Sequence, residues 1–309
     1  MDTEMDLSPS TSLPKSSDQT SSSDLRHRVT ALYPNALTRI YSVPSVHYAK
    51  GIIPGTSRYK LVPGPGQESD FGDDFVQNHV MVNLEELGNS RQEAMFILSR
   101  VSVGNCCNKP SYYAAAAQHL GLSDLETHLR NEEEDSRGET DFLLIHRQHG
   151  ILIGIIKPVG QIQACPQNPQ PPADAYVANV VVKAVEQLDR SEKVVRHLVF
   201  DIQPGLTVRK TLFLPYVSSR QLQRVLDNAP LLRQTVCGSL FAANAVEAVQ
   251  LCCCSDQLSQ PASYWHVTPA VLSQLRTWWQ HRMAYTEDTL LTDEKYLDIV
   301  ARWVLGNVF

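Results

Sequence analysis

Two short apolar runs near the middle of the chain constrain its fold more than any other feature. Phe142–Ile145 and Ile151–Ile156 are rich in Ile and Leu, and the polar segment His146–Gly150 links them. Runs of this length, separated by a polar link that contains Gly, are typical of two antiparallel strands joined by a tight turn. The sequence therefore predicts a β-hairpin at the centre of the fold.

Charged residues mark one end of this predicted hairpin. Glu139 and Asp141 open the first strand, and they share one face because side chains alternate along a strand. Lys157 closes the second strand on the same face as Ile153 and Ile155. If the register brings these faces together, two carboxylates and one ammonium group meet at one end of the hairpin.

This pattern resembles the core of the PD-(D/E)xK nuclease superfamily, and within it the nuclease-related domains of the NERD type. That family has an acidic residue on a preceding helix, G-E-x-D at the start of one strand and E-x-K at the end of the next. The resemblance matches Asp141 to the metal-binding aspartate and Lys157 to the motif lysine. The chain departs from the motif at Ile155, where the family carries Glu or Gln. The resemblance covers mainly Glu93 to Gln187, less than half of the chain.

The resemblance also implies roles for three other residues. Glu93 is the candidate for the acidic residue on the preceding helix, and the alternative is a surface glutamate in a first helical turn. Glu139 is the candidate substitute for the ligand that Ile155 removes. Gln187 matches a glutamine that the family often carries in the helix after the lysine. The implied catalytic set is Asp141, Lys157, Glu139, Glu93 and Gln187, and the implied metal ligands are Asp141, Glu139 and Glu93.

Two functions are consistent with this incomplete motif. Mg²⁺ prefers hard oxygen ligands in octahedral geometry, and phosphodiester cleavage also needs a positive group near the developing charge. Because Ile155 removes one ligand, we expect a catalytically degenerate nuclease-fold protein that acts as an interaction or regulatory module. The alternative is an active Mg²⁺-dependent nuclease that cleaves DNA or RNA, and Mg²⁺ is expected as a cofactor only in that case.

The domain organisation follows from shifts in composition along the chain. The fold class that we expect is α/β, a restriction-endonuclease-like mixed sheet flanked by helices, with a helical C-terminal extension. The N-terminal segment is rich in Ser, Thr, Asp and Pro, and such a composition cannot offset the entropy of ordering. We expect four parts, in chain order: a disordered tail (1–24), an irregular arm (25–79), the α/β core (80–215) and the helical extension (216–309).

Local patterns predict further helices and strands, from apolar periodicity, capping residues and Pro or Gly punctuation. The predicted strands outside the hairpin lie near Leu37–Val43, Tyr59–Val62, His197–Ile202 and Thr211–Pro215. The predicted helices are 90–101 with its cap at Asn89 or Ser90, Ser111–Leu120, Asp124–Arg130, Tyr176–Arg196, Ser218–Leu226, Ser239–Cys252, one from Thr268-Pro269 through Trp279, and one from Thr292 to a C-cap at Gly306.

Two other groups of residues have simpler interpretations than a metal site. His146 and His149, and the run Cys252–Cys254, lack the paired ligand spacings of a zinc site. We interpret them as histidines of a turn and as buried thiols on a helix. Trp278 and Trp279 are interpreted as packing residues.

The composition of the chain limits which binding partners and which cellular location we expect. The formal net charge is −6, so there is no global basic field, although a local basic rim can still bind nucleic acid. The seven cysteines are odd in number and mostly adjacent, which is typical of a reduced intracellular protein. No apolar segment after Met1 predicts a signal peptide or a membrane span. We expect a cytoplasmic or nuclear protein with no membrane partner, and with nucleic acid, or a protein bound at the C-terminal helices, as candidate partners.

Overall fold

The computed structural model describes residues 22–43, 68–102, 139–159, 173–284 and 289–308. These residues form a six-stranded mixed sheet in which the strands lie side by side in chain order. The strands are β1 (Ile40–Val43), β2 (Met95–Ser102), β3 (Glu139–His146), β4 (Gly150–Ile156), β5 (Val208–Leu214) and β6 (Cys253–Cys254). The β2–β3 and β3–β4 pairs are antiparallel, and the other three pairs are parallel.

Helices cover both faces of this sheet. Within the described residues there are eight α-helices: α1 (Ser22–Leu32), α2 (Glu68–Arg91), α3 (Asp174–Val199), α4 (Ser219–Asn228), α5 (Pro230–Leu240), α6 (Ala245–Leu251), α7 (Pro269–Arg282) and α8 (Asp293–Val308). No helix of the described residues is long and apolar enough to cross a membrane.

Side-chain alternation divides the apolar residues of the sheet between two cores. Leu143 and Ile153 point to the face covered by α3 and α8. Phe142 and Leu152 point to the opposite face, where they pack with residues of α2 and α7 such as Trp278. The architecture is therefore a mixed α/β sheet between two helical layers, and the predicted fold class is confirmed at this level.

The central hairpin is confirmed with a definite register. Ile145 pairs with Ile151, and His146 pairs with Gly150 at the turn, where Gly150 has a positive φ of 77°. Further along, Phe142 pairs with Gly154. Both strands are buried on both faces, as expected for the middle of a sheet that is covered on its two sides.

The long helix α3 confirms the helix predicted at Tyr176–Arg196. Its buried stripe follows helical periodicity through Val177, Val181, Ala184 and Leu188, and it packs across β4 and β5. Three later helices are also confirmed. The Ser218 side chain caps α4, Thr268 caps α7 ahead of a proline at the first helical position, and Thr292 accepts a hydrogen bond from the Lys295 N–H in α8.

The helix predicted from Asn89 or Ser90 through Val101 is wrong. The preceding helix α2 ends at Arg91, and Gln92 has the left-handed φ of 55° that stops it. Residues 95–102 form β2, with Phe96 on the α3 face and Ile97 on the α2 face. A short apolar run satisfies helical and strand spacing at once, and pairing with β1 and β3 decides between them.

Three other local predictions need correction. The strand at His197–Ile202 is wrong, because α3 continues to Val199 before the chain turns. The helix at Ser239–Cys252 is two helices, since Phe241 adopts a left-handed φ of 58° at the end of α5. The buried thiols Cys253 and Cys254 lie in β6 rather than on a helix, and α8 continues past Gly306 to Val308.

The predicted division into arm, core and extension does not follow the sheet. β1 and the first half of α2 fall in the predicted arm, and β6 falls in the predicted extension. The tail boundary at residue 24 falls inside α1, which Arg26 anchors to Asp298 of α8 at 2.7 Å. The rest of the tail, 1–21, lies outside the described residues, and so do the predicted elements Tyr59–Val62, Ser111–Leu120 and Asp124–Arg130.

We predict that Gly154→Ala destabilises the protein. A Cβ at Gly154 would lie 1.8 Å from Cε1 of Phe142, whose ring covers the glycine in the pair β3–β4. Overpacking of a filled core costs about 1–3 kcal/mol or more. The matched control is Gly238→Ala in α5, where an added Cβ meets nothing within 4 Å and where helix propensity favours Ala by up to about 1 kcal/mol. Urea unfolding measures both, and equal stability of the two variants would contradict the packing.

Candidate functional site

The end of the hairpin away from the turn holds two of the residues that the sequence singled out. Asp141 is the third residue of β3, and its Oδ2 accepts a hydrogen bond of 2.6 Å from the N–H of Ile156. The Gln77 side chain of α2 donates from Nε2 to the backbone oxygen of Asp141 at 2.8 Å. Asp141 therefore ties the end of β3 to the end of β4.

Lys157 lies directly after β4, beside the same strand end. Its N–H donates to the carbonyl of Phe213 in β5 at 3.0 Å. Its Nζ donates to Oε1 of Gln187 in α3, also at 3.0 Å. The structure therefore brings Lys157 and Gln187 into direct contact on the α3 side of the sheet.

Ile155 occupies the position at which a second carboxylate would be needed to complete a site at this strand end. By continuation of the register, it lies opposite Asp141, and by alternation both residues belong to the face that α3 covers. The Ile155 side chain is fully buried in the α3-side core. The position where the resembled motif has a second acidic side chain is thus occupied by packed hydrocarbon.

Of the remaining two predicted residues, Glu139 lies at this end of β3 and Glu93 does not. Glu139 is the first residue of β3, and its backbone pairs with Ser102 in β2. Glu93 was expected to face Asp141 from the first turn of a helix, and this expectation is wrong. Glu93 lies in the connection between α2 and β2, and it contacts His146 at the opposite end of β3.

The turn end of the hairpin carries a separate polar cluster, which we call the turn cluster: Arg91, Glu93, His146, His149 and Trp279. Nε and Nη2 of Arg91 each donate to a Glu93 carboxylate oxygen at 2.7 Å. His146 Nε2 lies 3.1 Å from Glu93 Oε2. The guanidinium of Arg91 and both imidazoles also lie beside the Trp279 ring, with Arg91 Cζ at 5.7 Å from its centroid.

Hydrogen bonds determine the protonation of His146. Its Nδ1 accepts from the backbone N–H groups of Gln148 at 3.0 Å and His149 at 3.2 Å. An atom that accepts two hydrogen bonds carries no proton, so the ring is neutral with its proton on Nε2, from which it donates to Glu93. The imidazole therefore acts on the turn as an Asx side chain does, by accepting from the amide two residues ahead.

Burial and charge shift the pKa values of this cluster in opposite directions. Burial lowers the pKa of His146, although the neighbouring Glu93 carboxylate acts in the opposite direction. Burial also lowers the pKa of His149 to about 4, and the neighbouring His146 adds to this effect. Burial alone would raise the pKa of Glu93, but the hydrogen bonds from His146 and Arg91 lower it to about 2. The cluster is thus a carboxylate paired with a guanidinium, beside two neutral histidines.

The turn cluster has the composition of a metal site but not its hydrogen bonding. One ligand atom from each of Glu93, His146 and His149 lies within 4.8 Å of the others, and these donor types suit Zn²⁺ or Fe²⁺. A histidine that binds a metal normally donates its other ring N–H, whereas Nδ1 of His146 is an acceptor. Arg91 also engages both oxygens of Glu93. Arg91, Glu93 and His146 thus form a hydrogen-bonded network, and beside it the buried Nδ1 of His149 has no hydrogen-bond partner among the described residues.

Comparison of the chain with known protein families, with curated proteins and with solved structures finds no match. The geometry of the two hairpin ends is therefore the basis for any functional assignment.

The sequence analysis missed two contributors to these sites. Gln77 contacts β3 from α2, a helix that the sequence analysis did not predict. Arg91 is hydrogen-bonded to Glu93, two residues later, and Glu93 contacts His146, which lies more than fifty positions further along the chain. The H-x-x-H pattern of the turn was the available signal, and the structure adds that His146 is fully buried and that His149 is 9% exposed.

We predict that Asp141→Ala destabilises the protein by about 1–3 kcal/mol, because it leaves the buried N–H of Ile156 without its acceptor. Asp141→Asn keeps an acceptor oxygen, so its loss should be smaller, about 1 kcal/mol or less. Chemical denaturation measures both variants. Equal losses for the two would show that the negative charge, rather than the hydrogen bond, matters at this position.

Proposed function

We propose that this chain is a catalytically degenerate nuclease-fold protein that acts as an interaction or regulatory module. The order of elements from α2 through β2, β3, β4 and α3 to β5 is compatible with the restriction-endonuclease-like core that the sequence motif suggests. The polar residues that would belong to its site, Asp141, Lys157 and Gln187, lie at one strand end.

The observation that carries the proposal is the environment of Ile155. Its side chain is fully buried among apolar residues of the α3-side core, two residues before Lys157. A carboxylate there would have to be desolvated unless a metal or another partner compensated it. The packing around Ile155 is thus consistent with a site in which core stability has replaced a metal ligand.

Mg²⁺ fits the described residues of this strand end poorly. The ion demands near-octahedral oxygen coordination and is usually held by one or two carboxylates. Asp141 offers one carboxylate, and one of its oxygens already accepts from Ile156 N–H. Ile155 offers none, and Glu93 lies at the other end of β3.

The proposed module would bind a partner instead of cleaving a substrate. A protein partner at the C-terminal helices is the main candidate, because Leu231, Phe241 and Val246 are exposed there by 81%, 70% and 57%. Nucleic acid remains the other candidate, bound at the strand end that carries Lys157.

The alternative function is an active Mg²⁺-dependent nuclease, which the retained pair Asp141 and Lys157 favours. In that case Glu139 would be the substitute ligand for the missing carboxylate.

We predict that the wild-type chain cleaves single-stranded DNA, double-stranded DNA and RNA only at background level with Mg²⁺ or Mn²⁺. Loss of one catalytic group costs orders of magnitude in rate. Robust Mg²⁺-dependent cleavage that Asp141→Ala abolishes would overturn the proposal and favour the nuclease alternative. Cleavage that survives Asp141→Ala would come either from a contaminant or from an unrelated site on this chain, and cleavage that stays with the chain through further purification would contradict the predicted background rate.

We also predict that Ile155→Glu creates Mn²⁺ binding that the wild type lacks, because it restores a carboxylate opposite Asp141. Calorimetric titration with Mn²⁺ measures the binding, and circular dichroism checks that each variant is folded. The matched control is Ile153→Glu, an equally buried position on the same face but one pleat further from the strand end. Equal Mn²⁺ binding by both variants would contradict a residual site at Asp141.

A further inference from the structure

Two buried arginines, which we call the arginine pair, lie near the turn end of the sheet. Arg209 is the second residue of β5 and Arg282 is the last residue of α7, and they are 8% and 6% exposed. Because Val208 pairs with Ile151 in parallel strands, Arg209 lies beside the start of β4. The pair is thus at the end of the sheet opposite to Lys157, and its role does not depend on the proposed function.

Arg209 is held by backbone carbonyls rather than by a carboxylate. Its Nη1 donates to the carbonyl of His149 and its Nη2 donates to the carbonyl of Ala284, each at 2.6 Å. Ala284 follows Arg282 by two residues, so the Arg209 guanidinium lies against the end of α7. Carbonyl oxygens orient a guanidinium, but they do not neutralise its charge.

Arg282 has fewer hydrogen bonds than Arg209. Within the described residues, its one hydrogen bond runs from Nη1 to the carbonyl of Leu240 at 3.4 Å, longer than a usual N–H···O bond. Its buried Nε has no hydrogen-bond partner among them. Because a guanidinium carries five N–H donors, most of the donors of Arg282 have no acceptor in this part of the chain.

The charges around the arginine pair do not balance. Neither arginine forms an ion pair with a carboxylate of the described ranges. Glu192 acts on Arg282 electrostatically, but it already pairs with Lys210 at 2.5 Å and with Arg196 at 2.7 Å. Asp189 also pairs with Lys210, at 2.7 Å. In this group the arginine pair, Lys210 and Arg196 face two carboxylates, so two positive charges are left without a counterion.

This excess of positive charge is unfavourable for the fold. Burial, together with the charge of Arg209, lowers the pKa of Arg282 to about 10, so the group is still charged at neutral pH. A buried charge that lacks a counterion is strongly destabilising. A bound anion would remove this cost, because it supplies negative charge and hydrogen-bond acceptors together.

We propose that the arginine pair is a binding site for a small tetrahedral oxyanion of the phosphate or sulfate type. The planar guanidinium presents N–H donors that match two oxygens of such an anion, and the two unmatched charges suit a dianion. His281 and Ala284, on either side of the buried end of α7, are exposed, so the site lies directly under the surface there. Because both arginines are buried, the site selects a free anion over a phosphoryl group on a larger molecule.

Thermal unfolding of the full chain in inorganic phosphate tests the proposal. At an ionic strength held constant with chloride, phosphate should raise the Tm in a saturable way, by about 5 °C at a hundred times its Kd. General stabilisation by excluded salts does not saturate. A Tm that does not respond to phosphate, or that rises equally with chloride or acetate, would overturn the site. A larger rise with phenyl phosphate would overturn its selection of a free anion.

Arg282→Met is the informative variant, because it removes the charge and keeps an apolar side chain of similar length. It should lose the phosphate response. In phosphate-free buffer it should be at least as stable as the wild type, since a hydrophobic side chain often replaces a poorly compensated buried charge without loss. Arg276→Met, at an exposed arginine of α7, is the matched control and should keep the wild-type response.

Two results with these variants would contradict the proposal. An unchanged phosphate response in Arg282→Met would place the anion elsewhere. A loss of stability of Arg282→Met in phosphate-free buffer would show that Arg282 is satisfied without an anion.

A measurement on the wild type keeps the proposal testable if Arg282→Met does not fold. The ¹H–¹⁵N signal of Arg282 Nε should shift with phosphate until the site is saturated, whereas the signal of Arg276 Nε should not. An Arg282 signal that stays in place at phosphate concentrations that raise the Tm would overturn the site.

Discussion

Burial of both faces of the β3–β4 hairpin is the constraint on which the rest of the structure depends. Leu143 and Ile153 need cover from one side, and Phe142 and Leu152 need it from the other. A sheet that is apolar on both faces cannot leave either face exposed to solvent, so helices must pack above and below it. The positions of α3 and α8 on one side, and of α2 and α7 on the other, follow from this requirement.

The same burial leaves the hairpin ends as the places where polar chemistry is concentrated. At the open end, Asp141 accepts a hydrogen bond from the N–H of Ile156 in β4, and the Lys157 ammonium group donates one to Gln187 in α3. At the turn end, His146 is hydrogen-bonded to Glu93, and the rings of His146 and His149 both lie beside Trp279. The two ends therefore differ in kind: one carries the carboxylate and the ammonium group that the sequence motif singled out, and the other satisfies turn amides with a neutral imidazole.

Elements with a strong local pattern were predictable, and those that depend on distant partners were not. The stripe Val177, Val181 and Leu188 has helical spacing over many turns, and no strand could satisfy it. Residues 95–101 satisfy both spacings, and their strand state depends on pairing with β1 and β3, which come from far away in the chain. The position of Glu93 was predicted wrongly for the same reason, because a residue expected inside a helix lies instead in the connection between α2 and β2.

The sequence by itself determined the hairpin, the long helix α3 and the caps at Thr268 and Thr292, because each rests on the order of neighbouring residues. The resemblance singled out Lys157 and Gln187 separately, and the structure shows that their side chains are hydrogen-bonded to each other. Tertiary structure alone decided that Glu93 meets His146, because this contact joins chain segments more than fifty residues apart. It also decided that the turn histidines are buried and neutral, since burial and the partners of a ring nitrogen depend on everything packed around it.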